Sequence, residues 1–472
     1  MLRYLSYLFI GIGVFAVSCY KDKGNYSYNV PPAPVVSHLD TVYKAIIGDT
    51  LLIQPTVTIA QAKPNLGYEW RIGVPEQQTD LLYYGPVVKF IFGLKPQRYS
   101  ARLTIIDSSN GLKYFYPFFI DGVTIYSKGT TVLSLESGVS QLSFIQPDGT
   151  VQARVYKNIN HEDLPGGPRQ VINLVNQNYG GITTGYWIIG SQTDNPGVEI
   201  DPNTFQKTTT MRNNFFSAPA SIVPGYCQNI YTGTLNGVIN GKLYVGASQT
   251  YYLSPVYGQF GSPASGDYNL YQQAIFNPTF PYFLGYDSVR KQVVGFTNFG
   301  AAAYIGTGYQ TTTTAPFDPA NVGLDLLEFE QINSQNCYAF GKAADGTIQE
   351  IKFSVAFIGI IQVSPQYKRP FPRPELIAAS TKWTSAPTEV FFFNNGSTIY
   401  RYNPLNQEVK ALTTDFGGKT VTMIKITNGG NTLLAGVDGS LYYLDVSAGK
   451  FGDILSKIDG IPGAPVDVAQ RN

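Results

Sequence analysis

Charge is scarce in this chain. Asp, Glu, Lys and Arg make up 14% of its 472 residues, against about 25% in an ordinary globular protein. The signs also cancel, with 33 basic residues facing 32 acidic ones. Removing residues 1–18 takes away Arg3 and no acid, and brings the two signs level. Without a basic excess, neither nucleic acid nor a polybasic membrane patch is expected. Histidine and cysteine are nearly missing. His38 and His161 stand far apart without ligand spacing, so no metal is expected. Beyond Cys19 only Cys227 and Cys337 remain, with no CxxC pair. An oxidising compartment would allow them a disulfide, but two separate buried thiols are the favoured reading. No nucleophile elbow of the G-x-S-x-G type occurs. The turns Gly261-Ser262-Pro263 and Gly266-Asp267 do not build a phosphate cradle. The chain therefore reads as a non-enzyme without cofactor, although two carboxylates on distant strands would leave no trace in sequence. His161-Glu162-Asp163 reads as a polar loop ahead of Pro165-Gly166-Gly167. Sustained helical periodicity is missing after the first 18 residues, and Pro374 to Ser380 is at most a short helical turn.

What is present begins at the N-terminus. Arg3 precedes an almost unbroken apolar run from Leu5 to Val17, too short to span a bilayer comfortably. Ala16-Val17-Ser18-Cys19 follows. A small residue before a single cysteine suits a lipoprotein signal peptidase, and the Cys19 thiol would take the lipid. The alternative is an ordinary secretory signal with a chance cysteine. Residues 1–18 thus read as a lipoprotein signal peptide, and residues 19–30 as a lipid-anchored polar tether. Lys21-Asp22-Lys23 behind the cysteine is similar to the charged signals that send lipoproteins of Bacteroidetes to the outer face of the outer membrane.

The rest is rich in glycine (48), proline (30), tyrosine (34) and phenylalanine (28), the mixture of short strands and tight turns. Residues 31–125 read as one β-sandwich. Leu66 to Arg71 alternates around Trp70, a core position, and Tyr99 to Ile105 alternates again. Asp107 to Gly111 is a hairpin loop returning into Lys113 to Phe119. Residues 126–472 contain seven loosely recurring units of propeller-blade size. Their clearest common pattern is an apolar strand, an Asn-Gly or Asp-Gly turn and a second strand, at Asn240-Gly241, Asp345-Gly346, Asn395-Gly396 and Asp438-Gly439. The expected fold is all-β: a sandwich followed by a seven-bladed propeller, with six or eight blades as alternatives because units two to four carry long insertions.

The functional lead is aromatic. Tyr251 to Phe260 and Phe276 to Phe283 are broken by proline or glycine and rich in rings. Exposed rings stack on sugars or grip peptide side chains. Tyr251, Tyr252, Tyr257, Phe260, Tyr282 and Phe283 are therefore the candidate ligand-binding residues, with packing between blades as the alternative.

The Ser18-Cys19-Tyr20-Lys21-Asp22-Lys23-Gly24-Asn25-Tyr26 opening, the Tyr68-Glu69-Trp70 strand and the Thr104 to Tyr114 stretch together resemble the PKD-like lipoprotein family of Bacteroidetes. The resemblance implies an Ig/PKD-type domain followed by a propeller-like half, encoded beside SusC/SusD-type importers. It further implies an accessory lipoprotein on the outer membrane that helps a TonB-dependent complex capture an oligosaccharide or peptide. Only Cys19, as the lipid site, carries over as a residue. A surface enzyme acting on glycan or peptide, and a purely structural importer subunit, are the alternatives.

Overall fold

The computed structural model describes residues 31–60, 65–246, 254, 256–279, 281–297, 314–358 and 360–471. The chain divides after Gly122 into two compact units.

In the first unit, a five-stranded antiparallel sheet runs in the order Val42–Ile46, Leu112–Val123, Arg98–Asp107, Leu66–Val74, Thr79–Tyr84. Two two-stranded sheets accompany it, Val35–Ser37 with Thr56–Thr58 and Thr50–Ile53 with Val88–Ile91. Alternation decides which face is buried. Along Arg98–Asp107, Tyr99, Ala101, Leu103 and Ile105 point inward, while Arg98 and Ser100 are exposed. Trp70 is buried among them, its indole N–H donating to the Gly85 carbonyl at 2.8 Å. It is the core residue that its strand pattern indicates. Asp107 is fully buried and caps its own turn, accepting from the Ser109 N–H at 2.9 Å and from the Asn110 amide at 2.9 Å.

Among the described residues, the second unit is a ring of seven antiparallel sheets, each a meander of three or four strands. The inner strands of blades 2 to 7 are Pro168–Asn176, Pro224–Asn229, Leu270–Asn277, Asp325–Asn333, Trp383–Ala386 and Val421–Thr427. Blade 1 takes Gly129–Glu136, Val139–Ile145 and Val151–Gln152 from the start of the unit and its inner strand, Ala464–Arg471, from the end. Each inner strand packs against the next, and the last packs against the first, so the ring closes. This is a seven-bladed β-propeller.

Seven hydrophobic clusters sit between the seven pairs of neighbouring blades, in place of one central core. Every second strand of a blade is therefore buried on both faces, which explains why these strands read as continuous apolar runs. In Ile182–Gly190, Tyr186 and Ile188 face blade 1 while Trp187 and Ile189 face blade 3. In Val390–Asn395, Phe391 and Phe393 face blade 5 while Phe392 faces blade 7. Of the four Asn-Gly and Asp-Gly turns, only Asn240-Gly241 places both residues at positive φ, 52° and 70°. At the other three only the glycine does. A six-residue α-helix, Val155–Asn160, follows blade 1, and sequence periodicity gave no sign of it. Cys227 and Cys337 are both buried and unpaired, in blades 3 and 5.

One junction is held by charge. Glu350 of blade 5 is fully buried. It accepts from the Tyr367 hydroxyl at 2.5 Å, from two nitrogens of Arg369 at 3.2 Å, and from the Tyr402 hydroxyl of blade 6. Glu350→Ala would leave the Arg369 guanidinium largely buried without its counter-charge. Breaking such a pair costs about 3 kcal/mol or more. The expected outcome is a fall of that size in unfolding free energy by urea titration, with the far-ultraviolet spectrum of the folded protein unchanged.

Candidate functional site

The inner strands differ from the apolar second strands in one respect. Each breaks its hydrophobic run with polar side chains: Gln170 and Asn173, Gln228 and Asn229, Gln272, Glu328 and Glu330, Thr384, Lys425 and Thr427, Asp467 and Gln470. Their strands surround the ring axis, so these groups collect there.

Some of them sew the blades together. The Gln170 amide donates to the Cys227 carbonyl at 3.2 Å and accepts from the Cys227 N–H at 2.9 Å. Gln228 repeats the device one blade further on, donating to the Ala274 carbonyl and accepting from the Phe276 N–H at 3.2 Å. The Tyr271 hydroxyl donates to Leu327 at 2.9 Å, and Thr422 to Pro465 at 2.7 Å. Lys425 of blade 7 meets Asp467 of blade 1 at 2.8 Å and also donates to the Val468 carbonyl at 2.6 Å. The other Asp467 oxygen accepts from the Val171 N–H of blade 2 at 3.0 Å.

Among the inner strands of blades 7, 1, 2 and 3 lies a cavity of about 380 Å³. Gln170, Asn173, Gln228, Asn229, Lys425 and Asp467 line it. Asn173 spends its N–H₂ on the Gln470 carbonyl at 3.3 Å, and Asn229 on the Val175 carbonyl at 3.1 Å. The carbonyl oxygens of both amides are buried without a hydrogen-bond partner. A buried acceptor left empty costs about 1–3 kcal/mol. Two such unfilled acceptors stand on adjacent blades at one cavity.

Two acids on the inner strand of blade 5, outside the lining of this cavity, hold their protons more tightly than usual. Burial raises the Glu328 carboxyl well above its ordinary value, and the charge of Glu330 raises it further. Burial also pushes Glu330 up to about 7, against a hydrogen bond from Ser385. Burial, then the charges of Glu328 and Asp467, raise the Tyr226 hydroxyl, with Arg169 opposing them. Among the described residues, no group of three or more His, Cys, Asp or Glu is placed to hold a metal ion.

The aromatic candidates fare differently. Phe260 is fully buried in the junction of blades 2 and 3, its ring 5.0 Å from Phe215 and 5.5 Å from Tyr244. Tyr282 is fully buried in the junction of blades 4 and 5, its hydroxyl accepting from Gln331 at 2.9 Å. Phe283 is fully buried between blades 3 and 4. Rings without exposure offer no face to a ligand, so these three pack blades and are corrected to core residues. Tyr257 is partly buried, donates to the Thr232 carbonyl at 2.9 Å, and does line a cavity. Tyr251, Tyr252 and Cys19 lie outside the described residues. His161 ends the short helix, and the neighbouring Glu162 accepts from Lys207 at 2.7 Å and from Tyr156 at 2.5 Å.

The PKD-like family model matches residues 19–168. No match is found among curated proteins. Among solved structures the chain is similar to a quinonprotein alcohol dehydrogenase-like protein from Bacteroides thetaiotaomicron, at 14% identity over 93% of this chain and 99% of that one, with a TM-score of 0.42. It is also similar to a candidate 6-phosphogluconolactonase from Bacteroides uniformis, at 13% identity over 73% of this chain and 99% of the other, with a TM-score of 0.42.

The titration of Glu330 gives a test of the site's electrostatics. Its folded pKa is raised, so its contribution to stability is whole below the ordinary value of 4.5 and is lost as pH rises to about 7. Glu330→Gln removes that titration. Its urea midpoint should gain on the parent between about pH 5 and about pH 8. An unchanged difference across that range would contradict the assignment.

Proposed function

We propose that this chain, whose residues 19–168 match the PKD-like family model, is a non-catalytic binding component of a TonB-dependent, SusC/SusD-type importer. In this reading Cys19 carries a lipid, the tether and sandwich stand at the outer membrane facing outward, and the propeller presents the ligand. The observation that carries the binding role is the pair of unpartnered carbonyls, Asn173 Oδ1 and Asn229 Oδ1, at the axial cavity. They call for donors, and the amides around them, with Asp467 already paired to Lys425, favour an uncharged ligand. The hydroxyl-rich end of an oligosaccharide supplies donors and acceptors together. A peptide end supplies N–H donors and is the other ligand compatible with the cavity.

A second reading has one observation behind it. Glu328 and Glu330 stand two residues apart on one inner strand, and both hold protons unusually tightly. A surface glycosidase would use such a pair as acid and base.

Four measurements test these readings. The tagged protein, purified from detergent-solubilised native outer membranes, should bring with it a large TonB-dependent barrel and its lidding lipoprotein. Recovery of the protein alone would overturn the importer assignment. Cys19→Ala should move the protein from membrane to soluble fractions, and its persistence on membranes after a carbonate wash would contradict lipid anchoring. Asn173→Leu and Asn229→Leu should each weaken oligosaccharide binding in calorimetry by about 1 kcal/mol, about fivefold. Release of reducing ends by the parent but not by Glu330→Gln would establish the enzyme instead.

A further inference from the structure

We propose that the crevice between blades 2 and 3 is a second binding site, separate from the axial cavity, for one uncharged, hydroxyl-bearing sugar ring. The crevice has a volume of about 170 Å³, room for about five waters at ~30 Å³ apiece and comparable to a single ring. Thr184, Trp187 and Glu199 of blade 2 form one wall, Thr234 of blade 3 another, and Asn214 and Tyr257 come from the connections that follow these blades.

Asn214 identifies the crevice as a site. The residue is 8% exposed, and its Nδ2 has no hydrogen-bond partner. Its backbone is fixed at both groups: its N–H donates to Met211 at 3.1 Å, and its carbonyl accepts from Phe260 at 2.7 Å. The amide is held by an ordered backbone at a cavity that gives it nothing to bind. Two buried N–H donors without acceptors carry a desolvation cost that a ligand oxygen would remove.

Glu199 supplies the second polar contact. Gly185 lies beneath it, and a Cβ there would come within 2.6 Å of Glu199 Oε1, so the glycine makes room for the carboxyl against its neighbour strand. Burial raises this carboxyl to about 7, which lets it donate or accept near neutrality. Among the described residues no Lys, Arg or His lines the crevice, so an anion finds no counter-charge there. A cation would meet the N–H₂ of Asn214. A neutral polyol offers an acceptor to Asn214 and either partner to Glu199, while Trp187, buried behind them, closes the wall without presenting a face.

Trp187 also supplies the readout, because the chain has only three tryptophans, Trp70, Trp187 and Trp383. The purified full chain labelled with 5-fluorotryptophan should give three ¹⁹F resonances, with that of Trp187 identified by its loss in Trp187→Phe. Titration with D-glucose, D-galactose, D-mannose and N-acetylglucosamine should move the Trp187 resonance saturably for at least one of them, leaving Trp70 and Trp383 in place. Asn214→Leu, which replaces the amide with an apolar side chain, and Asn214→Asp, which replaces the N–H₂ donors with a carboxyl oxygen beside Glu199, should each weaken that response about tenfold or more. Unmoved Trp70 and Trp383 resonances report that each variant is folded, and the isosteric Asn214→Asp stands if Asn214→Leu does not. Asn173→Leu, in the axial cavity, should leave the response intact. The proposal is overturned if no probe moves Trp187, which would mean a crevice holding water only. It is equally overturned if the shift survives in Asn214→Asp, or if Asn173→Leu abolishes it. Loss of binding at the axial cavity alone would defeat the proposed function and leave this site standing.

Discussion

The pairing of Ala464–Arg471 with Gly129–Glu136 is the constraint on which the propeller depends. It gives blade 1 its inner strand and joins the two ends of the unit. Val468 and Ala469 then complete the hydrophobic clusters on either side of blade 1. The same strand delivers Asp467 and Gln470 to the axial cavity. Fold and site are therefore closed by one event. Polar contacts fix the strand's position: Ser134 donates to Pro462 at 2.6 Å, and Arg471 reaches the Pro202 carbonyl at 2.7 Å and Asn203 at 3.0 Å. A strand that slipped by one residue would turn Val468 toward the wrong junction and lose these bonds together.

Within the closed ring, the axial amides have two tasks. Gln170 and Gln228 use both ends of their side chains on the next blade and leave nothing over. Asn173 and Asn229 reach back to the preceding blade with their N–H₂ groups only, and the carbonyl ends remain. Stitching thus fixes the direction in which the two free carbonyls point, and little side-chain freedom is left to them. The charged pair of Lys425 and Asp467 is tied to backbone groups of blades 1 and 2 in the same manner. The axis is polar throughout, but it is rigid because most of that polarity is already spent on the protein.

The blades were legible in sequence because their second strands are buried on both faces. Such strands give unbroken apolar runs, as in Tyr186-Trp187-Ile188-Ile189 and Phe391-Phe392-Phe393, next to turns that glycine marks. Trp70 and the Asp107 turn were legible for similar local reasons. The closing strand was not, because its partner lies at the far end of the unit and no local pattern encodes that distance. The aromatic candidates misled for a physical reason. In a propeller with seven separate cores, rings beside turns are needed to fill blade junctions, and Phe260, Tyr282 and Phe283 do so. The axial residues carried a signal that strand detection passes over: polar side chains recurring inside the first strand of every blade. Asn214 carried none, since it lies in a connection and its neighbours at the crevice come from strands and connections of two blades.

The two buried cysteines have a use that follows from where they sit. Cys227 belongs to the junction of blades 2 and 3, and Cys337 to that of blades 4 and 5. Burial pushes both thiols up to about 12, so neither is a competent nucleophile while its junction is shut. Each becomes an ordinary reactive thiol only when that junction opens. The chain therefore carries two native clocks, set in separate parts of the ring. Their alkylation rates would show whether the propeller breathes junction by junction or opens as a single body.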